Sequence, residues 1–308
     1  MEGQGITNMD FDSRDEITAL TPQWKGERFP DGRPKVEDRY LDALQGMTLE
    51  EVWKPIYLKG YESQFEGGLR ALHDDGRKLI GRAVTATFAP SRPDLHETMF
   101  AVGMREGRKG NYNQWVIDGL QERDIVVADM YDKIHKGTFL GGNLATAVAA
   151  KTKTGGGVIW GGIRDLEQMK AVDGIQVYYR GIDPAPIRDF VMLGFNTPCR
   201  IGNALCLPGD IVFGAGGGVL FIPSHLVADV VDGAAKTHIK DIFGFEMITA
   251  NVFTTAQIDK NTWTEDMLDR LLEFIRNDSR GEEYRELDWS AEYDLARNGD
   301  PNDTQTAL

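Results

Sequence analysis

The sequence predicts an α/β fold, with a central mixed β-sheet, flanking helices and extensions at both ends of a compact core. Strand, glycine-rich loop and helix follow one another twice in succession, over residues 124–150 and 158–172. The second half then supplies short apolar segments of strand length at 175–179, 199–203, 210–213 and 219–222, punctuated by Gly and Pro. Together these segments indicate a mixed sheet.

Residues 1–35 are polar and rich in Gly, Pro and charge, with no sustained period of 2 or 3.6, so they read as an arm outside the core that either wraps a neighbouring surface or stays mobile. From Val36 to Leu44 apolar residues recur at helical spacing, and Thr48 with Glu51 three residues later opens a second helix as a capping box. Residues 79–88 alternate toward Val84, Thr85 and Thr87, as a strand does. Pro90 and Pro93 end it in a loop that carries Asp94, His96 and Glu97.

Residues 124–129 form the next strand. A polar loop leads to Gly141-Gly142-Asn143-Leu144, which opens an Ala-rich helix to Ala150. Val158, Ile159 and Trp160 form a short buried strand, Gly161 to Asp165 a loop, and the following residues a helix to about Val172. Ser224 reads as the cap of a helix reaching about Phe245, and 262–275 as an amphipathic helix. The expected organisation is an arm over 1–35, an α/β core over 36–245, and a helical extension with a polar tail over 246–308.

The chain has 308 residues, and its 34 Lys and Arg against 48 Asp and Glu leave a net charge of −14. Such a field repels polyanions, so nucleic acid is not an expected partner, and an anionic substrate needs locally placed cations or backbone N–H groups. No apolar run approaches the roughly 20 residues of a membrane span, and no basic, apolar start marks a leader. Cys199 and Cys206 form neither a disulfide framework nor a zinc pattern, which fits a reducing compartment and a cytoplasmic location.

Gly214 to Gly218 runs into Val219-Leu220-Phe221-Ile222, a strand, so it reads as a turn between strands and not as a phosphate loop before a helix. Gly141 to Asp165 is more informative. Glycines at a helix start let a ligand approach the backbone, and the first-turn N–H groups suit a carboxylate. Arg164 offers a planar cationic fork, and Asp165 a hard oxygen ligand for a divalent cation. A structural alternative stands beside this: Asp165 and Gln168 have the spacing of a helix cap with its partner. His73, His135, His225 and His238 lack metal-ligand spacing, which leaves His96 beside Glu97 as the histidine to test.

Gly81-Arg82-Ala83-Val84-Thr85-Ala86, the Gly-Gly-Asn-Leu-Ala-Thr-Ala run from Gly141, Gly161-Gly162-Ile163-Arg164-Asp165, and Pro208-Gly209-Asp210-Ile211-Val212 through Pro223 resemble, in order and spacing, the RraA-like aldolase family. Phe65 to Gly68 and Pro90 to Asp94 resemble its longer members. The resemblance implies a compact swivelling-type α/β domain assembled as homotrimers or homohexamers, and a lyase that cleaves or decarboxylates small 2-oxo acids with Mg²⁺ or Mn²⁺. By the matching motif, Asp165 faces the metal and Arg164 is catalytic, binding substrate and stabilising a pyruvate enolate. Gly141, Gly142, Asn143 and Leu144 hold the substrate carboxylate.

Three acidic positions of the family pattern are absent. The acidic place in the glycine run falls on Gly142 or on Asn143, the position before Gly161 is Trp160, and the late acidic loop is Ala215-Gly216-Gly217. Asp94, His96, Glu97, Glu62 and Glu66 are candidate replacements, with Asp129 and Asp132 behind them. A non-catalytic binding or regulatory homologue is the alternative function.

Overall fold

The computed structural model describes residues 10–299, which fall into two compact units that meet between Ala228 and Asp229. The first unit carries the sheet. After the short helices α1 (Arg14–Leu20), α2 (Asp38–Ala43) and α3 (Leu49–Leu58) come strands β1 (Phe65–Glu66), β2 (Arg70–Ala71) and β3 (Leu79–Pro90). Helices α4 (Pro93–Arg105) and α5 (Tyr112–Asp118) then lead to β4 (Asp124–Leu140). Helix α6 (Gly142–Thr152), β5 (Gly156–Ile163), α7 (Leu166–Lys170) and β6 (Gln176–Ile182) follow. Strands β7 (Phe190–Phe195), β8 (Cys199–Ile201), β9 (Ala204–Cys206), β10 (Ile211–Ala215) and β11 (Gly218–Ile222) complete the unit.

The main sheet runs β1-β11-β10-β3-β4-β5-β6-β2, with β7 also paired to β3, and β8 and β9 form a separate hairpin. Its centre, β3 through β6, is parallel, and every other pairing is antiparallel. The sheet is therefore mixed, as expected. Period-two alternation in the parallel strands sends residues to two separate cores. Val84, Val126, Ile159 and Val177 pack with Trp115, Val116, Ala145 and Val148 from the helices. Ala83, Ile125, Val127, Val158 and Tyr178 pack on the other face with Cys199, Ile201, Cys206 and Phe221.

The Thr48 capping box is present, with Glu51 N–H donating to Thr48 and Thr48 N–H to Glu51. Several expectations change. Of the two readings of the N-terminal arm, residues 10–35 take the wrapping one and anchor into the core: Phe11 and Ile17 are buried, and the buried Arg33 guanidinium donates to the buried Asp124 carboxylate at 2.9 Å. These isolated anchors have no period to detect. Residues 1–9 of that expected arm, and 300–308 of the tail, lie outside the described residues.

Pro93 starts a helix and does not merely end a strand, because a proline at the first helical position has no N–H to lose. Asp94, His96 and Glu97 thus lie on α4 and not on a loop. The polar stretch after residue 129 continues β4 through register shifts. Tyr131, Asp132 and Lys136 take positive φ there, which hides the strand from pattern reading.

The second unit contains α8 (Val227–Thr249) from Asp229 onward, α9 (Thr255–Ile258), α10 (Glu265–Asn277) and α11 (Ser290–Asn298). Helix α10 opens with the Thr264 hydroxyl accepting the Met267 N–H and buries Met267, Leu268, Leu271 and Ile275 on one stripe. Ile239, Phe243, Trp263, Tyr284 and Trp289 complete that core. Because α8 runs unbroken and contributes Ile239 and Phe243 to this helical core, the division falls after residue 228 and not after 245. Ser224 belongs to a short 3-10 turn before α8 and is not its cap.

Candidate functional site

The predicted residues converge at the carboxyl ends of two neighbouring parallel strands, where open α/β sheets bind ligands. Leu140 of β4 pairs with Ile163 of β5, so Gly141 and Arg164 leave adjacent strands side by side. The Arg164 N–H donates to the Leu140 carbonyl at 3.0 Å and locks that geometry.

Asp165 has a left-handed backbone, φ 55° and ψ 43°, and its carboxylate makes no hydrogen bond to α7. The capping alternative therefore fails for its side chain. That carboxylate instead turns toward α6, where Oδ2 accepts the Gly142 N–H at 3.1 Å and lies 3.6 Å from Arg164 Nε. A negative oxygen at the start of α6 is favoured by the unpaired amides and the helix dipole. Gly141 is what allows the approach, since a Cβ there would sit 2.6 Å from Asp165 Oδ2 and 3.0 Å from Arg164 Nε.

The first bond of the α6 ladder runs from Ala145 N–H to the Gly141 carbonyl, so the amides of Asn143 and Leu144 precede it. A cavity of about 230 Å³ opens beside them, lined by Gly141, Asn143, Leu144 and Arg164. Its remaining wall was not anticipated. Asn111, Asn113 and Gln114 come from the start of α5, Thr138 from β4, and Pro186 and Ile187 from the β6–β7 loop. Asn113 Nδ2 donates to the Phe139 carbonyl at 3.0 Å and the Thr138 hydroxyl to that of Ala185 at 2.6 Å, which fixes both against the backbone. The only sequence signal for this wall is the Asn-x-x-Gln spacing of Asn111 and Gln114, which forms a capping box.

None of the candidate replacement acids lines this cavity. Asp94 is exposed and paired with Arg92 at 2.8 Å, and the His96 ring meets the Tyr112 hydroxyl at 3.1 Å. Glu66 is buried, and its carboxylate accepts the N–H groups of Gly68 and Asn203 at 2.7 and 2.9 Å. Asp132 pairs with Arg180 at 2.9 Å. Burial pushes the Asp129 carboxyl above its usual range, with Arg200 at 3.8 Å offsetting part of that. Trp160 stacks against the Arg180 guanidinium, 4.5 Å from its ring centroid, so the missing acidic side chain is replaced by a cation–π contact.

Among the described residues no group of three or more His, Cys, Asp or Glu is placed to hold a metal ion. Asp165 follows Arg164 without lining the cavity, and its carboxylate has a second oxygen, Oδ1, beyond the one shared by Gly142 and Arg164. That donor set does not make a preformed cage. It fits a hard divalent ion held by one carboxylate oxygen, with water and substrate supplying the other ligands.

A second cavity, of about 270 Å³, is lined by Trp24, Tyr61, Asp210 and His225 among others and has no Lys or Arg in its wall. Burial raises the Asp210 carboxyl to about 7, although the Leu207 and Ser224 N–H groups donate to it.

A parallel-centred α/β sheet with an arginine-bearing cleft at its strand ends is the class that fold and site define. A sequence model of the RraA-like family, Aldolase/RraA, matches residues 41–221, and the chain belongs to that family. The family includes aldolases and RNase E inhibitors. Protein DlpA of Legionella pneumophila is 28% identical over 170 residues, 54% of this chain, and the chain spans only 25% of that relative's length.

Two solved structures show the same fold. One, an uncharacterized protein from Pseudomonas syringae pv. tomato, has a TM-score of 0.57 at 19% identity, over 72% of this chain and 98% of its own. The other, Streptomyces coelicolor RraAS2, described as an unusual member of the RNase ES inhibitor RraA protein family, has a TM-score of 0.55 at 22% identity, over 69% of this chain and 97% of its own. No helix among the described residues is long and apolar enough to cross a membrane.

Proposed function

We propose that the chain is a carbon–carbon lyase, an aldolase or oxo-acid decarboxylase acting on a small 2-oxo acid in the cavity beside Arg164. The observation that carries this reading is the placing of Arg164 and the first-turn residues of α6 around one small cavity, with the Asp165 carboxylate bound to the Gly142 N–H at the start of that helix. Asn143 and Leu144 N–H groups receive the substrate carboxylate. Gly141 keeps the approach open, and Gly142 serves indirectly because its own N–H is committed to Asp165. Arg164 is the catalytic residue, positioned to stabilise negative charge that develops on the 2-oxo oxygen.

In the cleavage of a 4-hydroxy-2-oxo acid, the hydroxyl proton leaves to water, the oxygen's electron pair forms the C4=O bond of the released aldehyde or ketone, and the C3–C4 bond breaks. Its electron pair forms the C2=C3 bond as the C2=O π pair moves to the 2-oxo oxygen, and C3 of this enolate is then protonated from water to give pyruvate. Asp165 would hold a Mg²⁺ or Mn²⁺ ion through its free oxygen. When bound, such an ion supplies Lewis acidity toward the oxo group. The reading includes a cytoplasmic homo-oligomer, trimer or hexamer, which native mass measurement resolves.

Pyruvate release from 4-hydroxy-2-oxo acids and from oxaloacetate, with Mg²⁺ and with EDTA, tests the proposal. Turnover above the metal-only blank, lost with EDTA and reduced about 100-fold or more in Arg164→Ala, is expected. Full activity in that variant would sink the site assignment.

The three absent acids at Gly142 or Asn143, Trp160 and 215–217 favour one second reading, a non-catalytic binding protein that keeps the family shell. Robust metal-dependent cleavage excludes it, whereas a specific protein partner without turnover supports it.

A further inference from the structure

The cavity beside Asp210 lies within the first unit and away from the Arg164 cleft. Ile211 of β10 pairs with Arg82 of β3, and Arg82 with Asp124 of β4, so Asp210 sits at the amino ends of the parallel strands, whereas Arg164 leaves their carboxyl ends. The pairing of β10 with β11 begins at Ile211 and Ile222, which leaves Asp210 beside Pro223 and Ser224. The Asp210 carbonyl accepts the Ala83 N–H at 2.8 Å, and its carboxylate accepts the Leu207 N–H at 2.8 Å and the Ser224 N–H at 3.4 Å. A carboxylate has about four acceptor positions, so these backbone donors leave capacity for a ligand.

Asp210 is only 4% exposed, yet it lines a cavity of about 270 Å³. Holding a negative charge there costs free energy, and the carboxyl is pushed up to about 7 for that reason. Pro22, Trp24 and Pro223 give the same cavity apolar surface, and Tyr61 gives it a hydroxyl that lies 3.2 Å from His225 Nε2. The N-terminal part of the wall is held in place by its own bonds. Arg28 donates to the Thr21 hydroxyl and carbonyl at 2.8 and 2.7 Å, and the Trp24 indole N–H donates to the Glu27 carbonyl at 2.7 Å.

We infer that this cavity is a binding site for a small organic cation, a primary ammonium on a compact apolar body, whose N–H groups reach the Asp210 carboxylate. Hydrogen bonds between an ammonium and a carboxylate are of the strong, charge-assisted kind, and a recess of low dielectric strengthens them further. Trp24, Pro22 and Pro223 suit the apolar body rather than the water shell that a hard metal ion keeps. An aromatic face beside the carboxylate also attracts positive charge. The site stands apart from the lyase reading, and neither depends on the other.

Ligand-observed NMR titrations of the full chain at pH 8, where Asp210 is ionised, compare benzylammonium with benzyl alcohol, which share a ring and differ in the charge of the head group. Benzylammonium is expected to bind at least about tenfold more tightly. Asp210→Asn is expected to remove that preference, Trp24→Ala to weaken both probes at least about threefold, and Arg164→Ala to leave both unchanged. Thermal melts confirm that each variant is folded. Equal affinity for the two probes means that the Asp210 carboxylate serves only its own turn, and overturns the inference. So do failure of both to bind, a preference that survives in Asp210→Asn, and loss of benzylammonium binding in Arg164→Ala. If Asp210→Asn does not fold, Trp24→Ala decides, and undiminished benzylammonium binding there overturns the site.

Discussion

The Asp165 carboxylate accepts the Gly142 N–H at 3.1 Å, joining the loop after β5 to the first residue of α6. One side chain thus holds together the two loops that build the cavity. It also sets the orientation of Arg164, whose Nε lies 3.6 Å from the same oxygen.

Gly141→Ala is expected to disable the site while leaving the fold intact. The added methyl would collide with Asp165 Oδ2 at 2.6 Å and with Arg164 Cγ and Nε at 3.0 Å, and both side chains are partly exposed and can move. A displacement of about 1 Å can cost on the order of 100-fold in rate. Steady-state kinetics together with a thermal melt check this, and unchanged kcat/KM would refute the positioning role.

Asp165→Asn and Asp165→Ala separate the residue's structural role from its charge. Asparagine keeps an oxygen for the Gly142 N–H but loses the anion, so stability should hold while Mg²⁺-dependent turnover disappears. Alanine removes both and should also destabilise by about 1 kcal/mol, the usual scale for losing a helix N-terminal acceptor. Urea midpoints and Mg²⁺ titrations of the two variants provide the readout. Metal-dependent turnover retained in the asparagine variant would remove Asp165 from the metal role.

Asp210 should make stability depend on pH in a direction opposite to that of a salt-bridged acid. Burial raises its carboxyl from an ordinary 3.8 to about 7 in the folded chain. Between about 4 and 7 the folded state therefore binds more protons than the unfolded state, and this group's contribution to stability falls as pH rises through that window. Asp210→Asn should flatten that component. Denaturation midpoints at pH 5 and pH 8 decide it, and an identical pH slope in both proteins counts against the raised carboxyl.

Arg33→Met is expected to destabilise by roughly 3–5 kcal/mol, because it leaves the buried Asp124 carboxylate without its cation. Chemical denaturation measures the loss. A change under about 1 kcal/mol would show that the N-terminal segment is dispensable to the core.

Much of this architecture was legible in local chemistry. Alternation toward Val84, Thr85 and Thr87 and the continuous apolar run 125–128 marked central strands, Thr48 with Glu51 marked a helix start, and Gly214 to Gly218 entering a strand marked a hairpin. Arg164 and the glycine run were visible because close backbone approach and a cation beside a helix start restrict residue choice.

The opposite wall of the cavity was not legible. Asn111, Gln114, Pro186 and Ile187 come from segments about 75 residues apart in sequence and share no motif. Arg33 was read as part of an arm because a single buried ion pair 91 residues from its partner leaves no periodic trace.

The sequence by itself determined the secondary-structure alternation, the family and the identity of the cation at the strand ends, since each follows from short-range pattern and spacing. Tertiary structure alone decided that Asp165 braces α6 rather than capping α7, that uncharged side chains face Arg164, and that residues 10–35 belong to the first unit. Those outcomes depend on which distant loops the parallel crossovers bring to one edge of the sheet, and distance in space is not written in any local pattern.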